Sequence, residues 1–383
     1  MNELAFPFGP PPPPPVAGPS RVTFTGHRPD FRRLATRGAA LELITLGFYR
    51  FWLATDMRRH LWSNTAVDGD AAEYTGTAKE LLIGFLFALA ILAPIYLAYF
   101  LIGLEAERMK AFASFPLGVF FYLFAQFAIY RARRYRLTRT VWRGVRFWMA
   151  GSGVSYAWRA GLWALASLVT LGLALPWAKA SLERYKMRHT SYGDLQGGFD
   201  GTGWALFKKV WWLWLLIWPS FVIPIALPFV YAAMRAIEWR WWIAGLSLGK
   251  VGFSSDLRNG ALIGLYWKVI GWCVLLFVAL GAWFGAVMAI AYQSIGANVP
   301  AQQKFLLASQ KLPVLLELGF GYIVVALAMG LIIRIYLMRD LWQRVAETVT
   351  VQNLEAAGNV TAQGELVSAL GEGFANSLDI AGF

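Results

Sequence analysis

Residues 44–52 read ITLGFYRFW and residues 169–177 read VTLGLALPW, one phrase written twice at an offset of 125. Sliding the chain by 125 keeps this register from 22 to 81 without a gap. It aligns Gly26/Gly151, Thr45/Thr170, Gly47/Gly172, Trp52/Trp177, Arg59/Arg184 and Gly76/Gly201, besides several Ala and Leu pairs. Shared apolar composition scatters Leu and Ala matches but does not bring Gly, Thr, Trp and Arg into one register. The pattern reads as an internal duplication. A shift of 226 gives a shorter run, Gly26/Gly252, Asp30/Asp256, Arg32/Arg258 and Ala35/Ala261, and MRDLW at 338–342 echoes MRRHLW at 57–62. A degenerate third unit, interrupted across roughly 271–320, is therefore expected.

What surrounds the phrase is apolar. The 383 residues are 58% hydrophobic and only 15% charged, with 19 Trp; soluble domains carry about a quarter charged residues. Long apolar runs at 81–103, 112–130, 156–177, 204–233, 260–291 and 313–336 each approach or exceed the about 20 residues that a helix needs to cross a bilayer. The run 34–53 is marginal because Glu42 and Arg50 interrupt it. The net charge of +13 fits cytoplasmic loops rich in Lys and Arg better than a nucleic-acid surface. Seven arginines and no acid lie between 131 and 155, which places that loop inside. If 34–53 and 156–177 cross once, the basic segments 21–37 and 178–203 fall outside; if both turn back, every basic segment falls inside. The second version is favoured, and a re-entrant segment shielded by protein is physically allowed.

The expected fold is therefore an all-α polytopic membrane protein of internally duplicated helical units, with short β-like segments in the polar loops. Its divisions are a disordered Pro-rich tail (1–20), a first unit (21–130), a second (131–233), a degenerate third (234–336) and an acidic cytoplasmic tail (337–383). In the repeated phrase Thr45, Gly47, Trp52, Thr170, Gly172 and Trp177 read as packing and depth-setting residues: Gly admits a close helix neighbour, Thr bonds to a helix, and Trp marks the interface. The pairs Gly260/Gly264 and Gly281/Gly285 have the same small-residue spacing.

The residues from Thr45 to Phe85, TLGFYRFWLATDMRRHLWSNTAVDGDAAEYTGTAKELLIGF, resemble the DUF898 (YjgN-like) family of bacterial inner-membrane proteins. RYRLTRTVWRGVRFWMAGSGVSYAW at 134–158 and TLGLALPWAKASLERYKMRHTSYGD at 170–194 are similar to its second unit, and GELVSALGEGFANSLDIAG at 364–382 resembles its acidic ending. The resemblance implies a multi-pass inner-membrane location and this architecture. It brings no activity and no catalytic residue.

Chemical motifs are sparse. GLSLGKVG at 245–252 lacks a Walker A loop's four-residue spacing and its hydroxyl after the lysine. His27, His60 and His189 have no partners at metal-ligand spacing, Cys273 is the single cysteine, and no nucleophile elbow occurs. No enzyme, metal or cofactor is expected. Charges in apolar segments carry a functional default because burying them is costly. Glu42, Lys268 and Glu317 are the candidate intramembrane polar site, with Arg50, Arg159 and Arg334 also embedded. Glu42 lies in mid-segment, and its counterpart in the duplication is Ser167, so it must meet a cation from another helix, face water or hold a proton. Arg143 and Arg146, in the alternating stretch VWRGVRFW, are candidate contacts for anionic lipid headgroups. Two functions fit: a carrier or channel for a small solute, or a non-catalytic scaffold that holds anionic lipid or a protein partner on its basic face.

Overall fold

Four pairs of residues in the polar links decide what those links become: Asp68-Gly69, Arg143-Gly144, Gly193-Asp194 and Gly249-Lys250. Asp68 (φ 55°), Gly69 (85°), Arg143 (48°), Gly144 (75°), Gly193 (53°) and Gly249 (56°) all take positive φ. Such values make two-residue turns whose twist suits a β-hairpin. Each pair joins two short strands: β2 (Thr65–Val67) to β3 (Asp70–Ala71), β5 (Thr140–Trp142) to β6 (Val145–Met149), β7 (Thr190–Tyr192) to β8 (Leu195–Phe199), and β9 (Leu246–Leu248) to β10 (Val251–Ser255). The rejected Walker-like stretch is the last of these hairpins.

The computed structural model describes residues 18–105, 110–222, 224–296 and 299–364. The Pro-rich run of the N-terminal tail and nearly all of the acidic ending lie outside the described residues. Among those described, the strands form one antiparallel sheet of eleven, in the order β3-β2-β1-β11-β10-β9-β8-β7-β6-β5-β4, with β1 (Ser20–Phe24), β4 (Glu73–Tyr74) and β11 (Val349–Gln352) completing it. The two edges, β3 and β4, are separated in sequence by Ala72 alone, so the sheet is a nearly closed barrel. Its inner face packs Val22, Trp142, Tyr192, Val251 and Val351 against Ala357 and Val360, so the chain that follows β11 fills the barrel. This corrects the all-α expectation. Strands of two to five residues are too short to stand alone, and β1 meets β11 only because the chain's two ends come together, with Ser20 opposite Val351.

Five helical hairpins rise from one end of this barrel among the described residues. They are α1 (Arg28–Ile44) with α2 (Arg50–Ser63), α3 (Ala78–Glu105) with α4 (Lys110–Thr138), α5 (Gly153–Val169) with α6 (Leu175–Arg188), α7 (Gly203–Val222) with α8 (Leu227–Gly245), and α9 (Ile263–Gln293) with α11 (Leu312–Ile332). The short α10 (Ala301–Ser309) lies between the last two, and α11 continues through a π-helix (Ile333–Asp340) into α12 (Leu341–Ala346). Among the described residues, three segments are long and apolar enough to cross a membrane: Ala78–Phe100, Ile263–Gln293 and Leu312–Ala346. At 1.5 Å per residue α9 is about 46 Å long, whereas α1 and α2 reach about 26 and 21 Å. The runs 34–53 and 156–177 are thus not single helices. Each turns back, so 21–37, 131–155 and 178–203 all lie at the barrel end.

The Thr-Leu-Gly phrase is that turn. Thr45 Oγ1 donates to the Leu41 carbonyl at 2.7 Å and accepts from the Tyr49 amide at 2.9 Å, tying the end of α1 to the start of α2. Thr170 does the same with Ala166 (2.8 Å) and Ala174 (3.1 Å). Leu46 and Leu171 stand at φ 49° and 48°, and Gly47 and Gly172 at 89° and 88°. At both turns the chain reverses through this pair of left-handed residues, a conformation that favours glycine at the second position. Trp52 and Trp177 sit in the first turn of the returning helix, not at the exit of the first. The helix-contact reading of the small-residue pairs fails too: space is open where a Cβ would stand on Gly264, Gly281 and Gly285.

One arginine clips each hairpin to the next. Arg59 on α2 donates to the Gly76 carbonyl at 3.0 Å, Arg134 on α4 to Gly151 at 3.4 Å, and Arg184 on α6 to Gly201 at 3.2 Å. Arg240 on α8 donates to Leu257 at 3.0 Å, and Arg339 in the π-helix to Gly26 at 2.7 Å. Each acceptor lies just before the first helix of the following hairpin, and the fifth clip returns to the first hairpin. The helices form a ring. Aligned pairs Arg59/Arg184 and Gly76/Gly201 therefore touch one another in space.

Candidate functional site

A helix that clips outward with one residue points its chain neighbour another way. The residues preceding the five clip arginines are Arg58, Arg133, Glu183, Trp239 and Met338, and all five line a central cavity of about 1500 Å³. The cavity touches every hairpin except through α3 and α7. Among the described residues its wall carries eight basic side chains, Arg50, Arg58, Arg133, Arg136, Lys179, Lys186, Arg235 and Arg334, against three carboxylates, Glu42, Glu183 and Glu238.

Each carboxylate is held by a cation from a different element. Glu42 on α1 is buried, at 7% exposure, and meets Arg334 of the π-helix through two bonds of 2.8 and 2.9 Å. Such a two-pronged guanidinium–carboxylate pair fixes orientation as well as distance. Glu183 on α6 faces Arg133 at 2.7 Å and Lys186 at 2.6 Å. Glu238 on α8 faces Lys179 at 2.6 Å and Arg235 at 2.7 Å. Arg58 is buried and donates to the Tyr74 hydroxyl at 3.3 Å. Five positive charges remain in excess over the acids, inside a wall that also carries Leu43, Leu46, Ile323 and Leu327. A π-helical stretch inside an α-helix is uncommon and collects at functional sites; here it supplies both Arg334 and the clip Arg339.

Two tryptophans, Trp62 and Trp342, line the cavity where it meets the barrel strands. Trp62 and Trp342 stack at 5.1 Å. Their indole N–H groups donate to Thr140 at 3.0 Å and to Thr65 at 2.9 Å, at the starts of β5 and β2. These two Trp close the echoing phrases MRRHLW and MRDLW, whose leucines, Leu61 and Leu341, are both buried.

Of the three candidate intramembrane charges, Glu42 alone reaches this cavity. Lys268 and Glu317 are exposed on the outer faces of α9 and α11, and the carbonyl of Glu317 accepts from the Trp283 indole at 3.0 Å. Thr45, Thr170 and Gly172 shape the two hairpin turns; Gly47 does so too and also touches the cavity. Trp52 is half-exposed, and Trp177 packs against Trp204 and Phe207. Arg143 lies in the β5–β6 turn, bonded to Asp70 and to Asp68. The hydrogen bond to Asp70 raises its pKa, so its charge is already committed within the protein. Arg146 is half-buried on β6. Sequence reasoning missed Arg133, Lys186, Glu183, Arg235 and Glu238, which look like loop charges or helix-end charges in the chain. The signal for two of them was the residue before an arginine of the clip series.

No curated protein and no solved structure matches this chain. A family model described as a bacterial protein of unknown function (DUF898) matches residues 19–377. With nearly its whole length matched, this membrane-associated chain belongs to the DUF898 family.

Proposed function

We propose that the protein is a multi-pass protein of the bacterial inner membrane and works as a carrier or channel whose central cavity receives an anionic solute, without a reaction of its own. The observation that carries this reading is the cavity's wall of eight cations and three paired carboxylates. Clefts of one sign with low-dielectric walls concentrate the opposite charge. The barrel end faces the cytoplasm in this reading, because the basic segments gather there. The two matching Thr-Leu-Gly turns are read as descendants of one duplicated hairpin. A scaffold role resting on Arg143 draws less support, since Asp68 and Asp70 already hold that side chain.

A cysteine probe tests the reading without knowing the solute. In a Cys273→Ser background, Leu182→Cys puts a thiol on the cavity wall. A sulfonate-bearing thiosulfonate reagent is expected to modify it at least about tenfold faster than a trimethylammonium one, the size of steering such fields give. A carrier or channel further requires modification in both right-side-out and inside-out vesicles. Faster reaction with the cationic reagent, or a thiol that reacts only after denaturation, overturns the reading.

A further inference from the structure

Of the three cavity carboxylates, Glu183 is the least completely bonded. Both oxygens of Glu42 accept from Arg334, and those of Glu238 accept from Lys179 and Arg235. Glu183 is buried as deeply as Glu42, with Oε2 at 2.6 Å from the Lys186 ammonium. Its Oε1 stands 2.7 Å from Arg133 yet accepts no hydrogen bond. The charges touch without alignment. Another nitrogen of Arg133 donates to the Met187 sulfur at 3.3 Å, a weak acceptor. An arginine's fork matches two oxygens of one oxyanion, and among the described residues Arg133, on the cavity wall, makes no such match.

Glu183 lies in 178–203, at the barrel end and outside the three apolar spans. From α4 Arg133 faces it, with Arg136 acting on Lys186; Tyr156 faces it from α5, Lys186 from its own helix and the Trp242 indole from α8. Burial pushes the pKa of the carboxyl up; Arg133, then Lys186, outweigh burial and hold it well below the usual carboxylate range. Burial also pushes the Lys186 ammonium down, so the charge on Glu183 rests chiefly on Arg133. A carboxylate this deep keeps its charge only while a cation faces it.

We infer that Glu183 occupies Arg133 in place of the solute, and that an arriving oxyanion takes Arg133 and leaves Glu183 to bind one proton, so that anion and proton enter the cavity together. This rests on the anion-receiving cavity proposed above and adds what accompanies its solute. The Arg133–Glu183 ion contact breaks, and the guanidinium holds the oxyanion instead. One proton from solvent bonds to Oε1, the oxygen that accepted nothing before. No bond within the solute changes and no electron moves. Were Glu183 to stay ionised, two negative charges would share one buried place and its main cation, which is costly. For a monoanion the two added charges cancel.

Calorimetric titration of the full-length protein in detergent, with sulfate as the probe and two buffers of different ionisation enthalpy, counts the protons. Sulfate carries no proton of its own at neutral pH. The parent protein is expected to take up about one proton per sulfate bound. Its affinity should rise about tenfold for each unit the pH is lowered, the slope of a one-proton linkage. Glu183→Gln, which keeps the size and loses the proton site, should bind sulfate with no proton uptake and no slope. The sulfate-minus-free infrared difference spectrum of the parent should gain a protonated-carboxyl C=O band, and Glu183→Asp, which keeps a carboxyl, should displace it. Sulfate binding without proton uptake in the parent, uptake that persists in Glu183→Gln, or a band that Glu183→Asp does not displace overturns the coupling and leaves the anion cavity standing. If neither sulfate nor succinate binds the parent, the anion cavity falls and the coupling with it.

Discussion

Glu42 is a carboxylate buried in an otherwise apolar helix, and its partner Arg334 stands 292 residues away in the chain. An ion pair removed from water is weak evidence of net stabilisation, but breaking it strands a charge, at a cost of about 3–5 kcal/mol. Glu42→Ala and Arg334→Ala are each expected to lower unfolding stability by about 3 kcal/mol. The double variant should lose much less than twice that, because the second removal discards a charge already stranded. Equal and additive losses in detergent unfolding would show that the two side chains do not meet. Glu42 was legible as an exception, a carboxylate in mid-segment without a counterpart in the duplicated phrase. Arg334 was legible as an embedded charge. Their pairing was not, since nothing local links positions so distant. Lys268 and Glu317 looked alike by the same rule, yet both face outward. Hydropathy along a helix does not say which face a charge occupies.

At the scale of elements, the Thr-Leu-Gly turns explain why two apolar runs fail to cross. Gly47 has open space where a Cβ would go, and Gly172 would meet Leu175 and Trp214 only at ordinary contact, 3.5 and 3.6 Å. Substitution there acts on the backbone and not on packing. Gly47→Ala and Gly172→Ala are each expected to cost about 1–2 kcal/mol, the left-handed penalty for a residue with a side chain. The two losses should be alike; a large difference in thermal unfolding between them would show that the turns are not equivalent. The repeated phrase was visible in the sequence, but its Gly read as a contact residue and its Trp as a helix exit. The clue to a reversal was indirect: the basic segments 21–37 and 178–203 sort to one side only if both runs turn back. The hairpins were nearly legible as well. Asp68-Gly69, Arg143-Gly144, Gly193-Asp194 and Gly249-Lys250 are all two-residue turn pairs, but strands of two to five residues leave too little alternation to stand out beside helical runs.

At the scale of the molecule, every feature of the site depends on closure. The cavity exists because five hairpins are clipped in a ring, and the barrel exists because β1 pairs with β11 across 330 positions, Ser20 to Val351. Sequence patterns report local periodicity and internal likeness; they do not report which distant strands share a ladder, so the barrel remained hidden while its pieces were visible. The clip series was half written in the chain, as the aligned Arg59/Arg184 and Gly76/Gly201. Arg339, which closes the ring on Gly26, sits in the echo MRDLW. The most direct test of closure is a cross-link between the two ends. Arg21 and Thr350 are cross-strand partners on β1 and β11, and partners in antiparallel strands lie about 4.5–5.5 Å apart at Cα, within the span of a disulfide. In a Cys273→Ser background, the Arg21→Cys, Thr350→Cys protein should form an intramolecular disulfide under mild oxidation in isolated membranes and run faster on a non-reducing gel. A control pairing Arg21→Cys with Gln196→Cys on β8, four strands from β1 in the sheet order, should not. Failure of the first pair to cross-link while both thiols remain reactive, or equal cross-linking of the control, would contradict a ring closed by β1 and β11.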